Sequence, residues 1–139
     1  MKTIKTIGLF ILATSIVACC PCRKQKSGPA ESFTGTNWEL IQFEGRSFTP
    51  QDNYTITFTE EGKINGTGDC NRLMGDYSST ADGTLHIGML AATRAMCPDQ
   101  QMENRFVQTL QEVDSYTIDG KLLLLFNNSE LKLVFEKVK

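Results

Sequence analysis

The sequence predicts an α+β domain: a curved, mostly antiparallel, barrel-like sheet of about seven or eight strands with one amphipathic helix packed against it. Three observations carry this reading. Short runs of alternating apolar and polar residues recur between glycine- and aspartate-containing turns along most of the chain. One stretch, Cys97 to Val113, switches to helical spacing. Leu122 to Phe126 is apolar on both faces, the pattern of a covered, central strand.

The elements follow in order. TNWELIQF opens the sheet with Trp38 and Leu40 on one face. In YTITF, Tyr54, Ile56 and Phe58 point one way while Thr55 and Thr57 point the other. EEGK turns the chain into a strand from Lys63 to Thr67. GDYSS, ADGT and LHIG make a hairpin with Asp82-Gly83 at its tip. The helix comes next. Met102, Phe106, Leu110 and Val113 fall at i, i+4, i+8 and i+11, one stripe of an amphipathic helix that serves as core. Pro98 suits the first helical position, and Asp99 adds negative charge where the helix dipole favours it. SYTI and KLLLLF form a further hairpin turning at Asp119-Gly120, and NNSE leads into LKLVFEKV, with Leu131, Leu133 and Phe135 on one face.

Ahead of this domain lies a different kind of sequence. Lys2 and Lys5 precede the apolar stretch IGLFILATSIV, too short to span a bilayer comfortably, so residues 1–18 read as a leader. It ends in Ile16-Val17-Ala18-Cys19, which resembles the bacterial lipobox. That resemblance implies cleavage after Ala18 and acylation of Cys19, with residues 19–32 as a lipidated tether and residues 33–139 as the folded domain. Cys20 follows the acylated residue, and the absence of Asp there points to the outer membrane, with the domain facing the periplasm. The tether, CRKQKSGPAES, is polar and has a flexible reach of about 20 Å. Loss of the leader moves the formal charge from −2 to about −4, and the domain has no run of Lys or Arg, so nucleic acid is excluded as a partner. The membrane, reached through the lipid, is the expected partner, with Arg23, Lys24 and Lys26 beside it.

Five cysteines are present. Cys20 and Cys22 sit in the tether, whereas Cys70 and Cys97 are the thiols of the globular part. In an oxidising envelope two such thiols are expected to pair. The loop closed would stabilise by about 3–4 kcal/mol in the chain-entropy treatment. A redox-active pair, with Cys97 activated at a helix start, a metal site and two free thiols are the competing readings.

GDCNRLMGDY followed by LAATRAMCPDQQMENRF resembles the META/HslJ-type domain of bacterial envelope lipoproteins, a family connected with heat shock and drug resistance. The likeness rests on Gly68, Cys70, Asn71, Arg72, Gly75 and Tyr77, then on Thr93, Arg94, Cys97, Pro98 and Glu103, with Trp38 upstream. It spans Thr34 to Lys137, and Asp69 is not part of it. It implies a compact β-rich domain with one helix, and no defined chemistry.

A Cys70–Cys97 bond would gather Asn71, Arg72, Thr93, Arg94 and Glu103 into one candidate binding patch. Two guanidiniums near a helix N-terminus suit an acidic group on a partner. The structural alternative makes Asn71 a partner for turn backbone and joins the arginines to Glu103 in a salt-bridged clasp. No catalytic constellation is apparent: His86 is the single histidine and alternates outward between Leu85 and Ile87, and there is no phosphate-cradling loop. The expected role is therefore binding or envelope stress response, without cofactor or metal, and with an envelope protein as partner. Two rival functions are an inhibitor of a secreted hydrolase, acting through EGRSFTPQDN at residues 44–53, and a carrier whose barrel cavity is lined by Trp38, Tyr54, Phe58 and Leu124.

Overall fold

The computed structural model describes residues 32–138. The predicted leader, Cys19, Cys20, Cys22 and all of the tether except Ser32 lie outside the described residues. Within them the strands are β1 (Asn37–Phe43), β2 (Arg46–Ser47), β3 (Thr55–Phe58), β4 (Lys63–Thr67), β5 (Arg72–Ser79), β6 (Leu85–Ile87), β7 (Ala91–Ala92), β8 (Ser115–Asp119), β9 (Leu122–Asn127) and β10 (Glu130–Lys137). The helix α1 (Gln100–Glu112) lies between β7 and β8.

Every strand pairing is antiparallel, in the order β6-β5-β4-β3-β1-β10-β9-β8. The two-residue strands β2 and β7 are added on β1 and β5. A bridge between Thr84 and Ser115 then brings the two ends of this order together. The Leu85 N–H donates to the Asp114 carbonyl at 3.0 Å and the Tyr116 N–H to the Gly83 carbonyl at 2.8 Å across the same seam. The sheet is thus a nearly closed barrel, as the α+β expectation requires. The extra strands, β2 and β7, are too short to show any alternation in sequence.

The alternating residues do what period two demands. Tyr54, Ile56 and Phe58 are buried, as are Trp38, Leu40 and Phe43 on β1. Two aromatic clusters fill the inside. Phe33 stacks edge-on against Phe58 and Tyr77 and tilts over Tyr116. Beyond the opposite end of β3, Phe106 of α1 meets Tyr54, Phe43 and Phe135. The helix therefore closes the barrel at the Tyr54 end, with Phe106, Leu110 and Val113 buried and Met102 half-buried, as its stripe predicts. Edge-to-face rings of this kind contribute about 0.5–1.5 kcal/mol per pair beyond their burial.

Four expectations need correction. Pro98 is not the first helical residue: Asp99 is the N-cap, its side chain accepting the Met102 N–H at 3.1 Å, so Pro98 lies just outside the helix. Leu131 is 44% exposed, because a bulge between Leu131 and Leu133 breaks the β10–β9 register and turns it off the face that Leu133 and Phe135 share. On β9 only Leu123 and Leu125 are fully buried; Leu122, Leu124 and Phe126 form a half-covered outer face. The four residues named for a carrier cavity do not line one together, since Leu124 lies on the other face of β9 and rings pack against Tyr54 and Phe58.

Candidate functional site

The two predicted motifs meet at one end of the barrel, where the β4–β5 turn touches the start of α1. Cys70 and Cys97 are bonded, with Cα atoms 5.5 Å apart. Cys70 is exposed and Cys97 half-buried.

Asn71 is the hub of the site and is only 2% exposed. Its Oδ1 accepts the Ala95 N–H at 2.7 Å and the Thr93 hydroxyl at 2.9 Å. Its Nδ2 donates to the Ala95 carbonyl at 3.2 Å and lies 3.0 Å from Cys97 Sγ. The Thr93 hydroxyl in turn accepts the Arg72 N–H at 3.0 Å. One amide side chain thus holds the 93–97 segment against the turn, and a buried Asn has few other ways to satisfy its donors and acceptors. Asp69, outside the recognised motif, also contributes: its carboxylate accepts the Asp99 N–H at 3.1 Å and fastens the helix start. Sequence reasoning missed it because that role appears only once the helix start is placed.

Glu103 is equally buried, at 2% exposure. Its Oε2 sits 2.7 Å from Cys97 Sγ and 3.5 Å from the Cys70 N–H. A disulfide sulfur carries no hydrogen, so the 2.7 Å contact is carboxyl oxygen against sulfur, not a thiol donating. Gly68 explains how the side chain fits: a Cβ there would stand 2.8 Å from Glu103 Cγ and 2.9 Å from Cδ. Gly75 plays the same part for the 89–90 crossing, where a Cβ would come within 2.8 Å of the Leu90 side chain and 2.9 Å of the Met89 carbonyl. Cys70, Cys97 and Glu103 present ligand atoms within 4.8 Å of one another, but a metal binds thiolates and these sulfurs are joined.

The salt-bridged clasp does not form. Arg72 and Arg94 are exposed, and among the described residues no ion pair reaches either guanidinium. The reason is helical geometry: Glu103, Phe106 and Leu110 share the buried face of α1, so the carboxylate points inward to the sulfur. Nearby, Arg46 pairs with Asp99 at 3.3 Å. Burial first, then the charges of Asp69, Glu103 and Asp99, hold the Tyr54 phenol well above its usual titration range, while Arg46 pulls it the other way.

A groove of about 630 Å³ runs between the outer side of α1 and the 90–96 segment. Asn71, Thr93, Arg94 and Glu103, four of the predicted patch residues, line it, with Met96 on its rim at 98% exposure. Arg72 lies outside the lining, although its backbone is hydrogen-bonded to Thr93. Residues 44–53, the inhibitor candidate, are mostly exposed but tied to the body of the domain at several points. Glu44 pairs with Arg105 of α1, Phe48 is buried against Tyr54, and Asp52 caps the 3-10 turn at Pro50–Asp52. His86 is exposed, as its alternation with Leu85 and Ile87 predicts.

A small barrel stoppered by one helix, with a Cys-Asn-Arg turn bonded to a Cys-Pro helix start, defines the class. The META domain family matches residues 31–139, and the chain belongs to that family. Among solved structures, the chain is similar to a DUF4847 family protein from Bacteroides vulgatus, with a TM-score of 0.60 and 17% identity over 78% of this chain and 96% of that one. It is also similar to a protein from Burkholderia xenovorans, with a TM-score of 0.61 and 24% identity over 77% of this chain and 84% of that one. A third structure matches with a TM-score of 0.58 and 25% identity over 73% of this chain and 87% of that one. No curated relative matches the chain.

Proposed function

We propose that this META domain is carried in the bacterial envelope on a lipid at Cys19, on the periplasmic side of the outer membrane, and acts there by binding an envelope protein partner in a stress-related role, without catalysis. The observation that supports the binding role is the groove beside α1. Its floor is pinned by Asn71, while Arg94 in its lining and Arg72 beside it have no ion-pair partner among the described residues. An acidic group on a partner is the chemistry two unpaired guanidiniums suit.

The test has two arms. Mass spectrometry of the membrane-extracted protein reads the mass added at Cys19; an unmodified N-terminal cysteine refutes the anchor. A photo-crosslinking residue in place of Met96, on the groove rim, should give one reproducible adduct in intact cells. That adduct should vanish when Arg72→Glu and Arg94→Glu are combined, and survive Lys121→Glu in the β8–β9 turn. No adduct, or one indifferent to the arginines, refutes the binding role.

A further inference from the structure

We propose that the Cys70–Cys97 bond is a reversible thiol-exchange site: a dithiol attacks Cys70 Sγ, Cys97 leaves, and Glu103 carries the leaving sulfur's proton.

Three features support this. The bond is asymmetric: Cys70 is exposed, whereas Cys97 is half-buried beneath Asn71 and Glu103. An incoming thiolate therefore reaches Cys70. The leaving sulfur is the one with an amide donor in place at 3.0 Å, and the Glu103 carboxyl oxygen lies 2.7 Å from it. Second, Glu103 is a buried carboxyl aimed at that sulfur, and among the described residues the Cys70 N–H, at 3.5 Å, is the other partner of its carboxyl group. Burying such a group is costly, and neither barrel packing nor an arginine requires it here. Third, the bond is not the only tie between its two segments. Asn71 to Ala95 and Thr93, Asp69 to Asp99, and the Leu73–Ala92 pairing hold them together without sulfur. Opening the bond therefore leaves the two sulfurs facing each other, ready to close again.

The step balances. The attacking thiolate forms a bond to Cys70 Sγ as the Cys70–Cys97 bond breaks, and the electron pair stays on Cys97 Sγ, which takes a proton from Glu103. The second thiol of the reagent, giving its proton to solvent, then displaces Cys70 Sγ and closes to a cyclic disulfide, while solvent protonates Cys70 Sγ and restores the proton to Glu103. Two electrons and two protons pass from the dithiol to the protein. In reverse, the Glu103 carboxylate takes the Cys97 proton as that sulfur attacks. Besides Glu103, the ionisable groups gathered around Tyr54 beside this site are Asp69 from the β4–β5 turn, Asp99 at the helix cap and Arg46 from β2, with Arg72 and Arg94 outside.

The experiment reduces the full chain with dithiothreitol from pH 5 to 9, each rate divided by the reagent's thiolate fraction. The native chain should be reduced about tenfold or more faster than Glu103→Gln, the effect of a proton carrier beside the leaving sulfur. Glu103→Asp should lie between the two. Trp38 fluorescence checks that each variant is folded. Independently of any variant, brief exposure of the native chain to glutathione followed by acid quench and alkylation should place the adduct on Cys70 and the alkyl group on Cys97. A Glu103→Gln profile that superimposes on the native one, an adduct on Cys97, or a reduction rate that rises with denaturant in step with unfolding each overturns the proposal.

Discussion

Asn71→Asp is the sharpest probe of how the two motifs are joined. The change keeps shape and both acceptor bonds, from the Ala95 N–H at 2.7 Å and the Thr93 hydroxyl at 2.9 Å. It removes the donor that faces the Ala95 carbonyl at 3.2 Å and Cys97 Sγ at 3.0 Å, and sets an acceptor against them. Two lost donor contacts cost about 1 kcal/mol each. A carboxylate in a site only 2% exposed, close to Glu103, adds to this, for a total of about 3 kcal/mol at pH 7. In a domain of this size that lowers Tm by about 10–15 °C. The assay is guanidinium unfolding followed through Trp38, the single tryptophan, which is buried and donates to the Phe33 carbonyl. The sign with pH is fixed. The new oxygen has no donor and faces the Ala95 carbonyl, to which it can donate only when protonated, so burial beside that acceptor raises the folded pKa of the introduced carboxyl above its unfolded value and the folded form holds the proton more tightly. The deficit should therefore shrink as pH falls through that folded pKa. A variant within about 0.5 kcal/mol of the parent at pH 7, the size of an ordinary surface substitution, would refute the role assigned to Asn71.

Gly68→Ala should destabilise by about 1–3 kcal/mol, since its methyl overlaps Glu103 at 2.8 Å. In a double-mutant cycle with Glu103→Ala most of that cost should disappear, and additive effects would contradict the packing argument. Phe106→Ala, at a residue with no exposure, should cost about 3–5 kcal/mol by opening the Tyr54 end of the barrel; a loss under 1 kcal/mol would mean that α1 is not the stopper. Asp52 is held below its ordinary pKa of 3.8 by the Thr49 N–H and then the Thr49 hydroxyl. Its contribution is present above the unfolded pKa and lost as pH falls through the folded one, so Asp52→Asn should flatten the acid limb of the stability curve below about pH 4. Parallel limbs would show that the cap does not hold in solution.

The barrel was legible because period-two alternation in β1, β3 and β10 and the helical stripe of α1 are read directly from residue order. What stayed hidden depends on partners distant in sequence. The bulge that exposes Leu131 arises from pairing with β9 and leaves no trace in LKLVF itself. At the site, the union of Cys70 with Cys97 follows from two lone thiols. The destination of Glu103 was available and overlooked. It precedes Phe106 by three residues and Leu110 by seven, so helix geometry places it on the buried face, away from the exposed arginines.

The placement of β1 between β3 and β10 has a consequence for how the domain comes into being. One side of β1 can zip up as soon as Thr55–Phe58 has been made, but the other remains a raw edge until residues 130–137 arrive, some seventy positions after that. A chain cut short before β10, or stalled during synthesis or export, presents unpaired backbone on β1 and β9 together with uncovered Leu123 and Leu125. Completion of the last strand is therefore the event that converts a sticky half-barrel into a closed one, and late closure is the folding behaviour this topology favours.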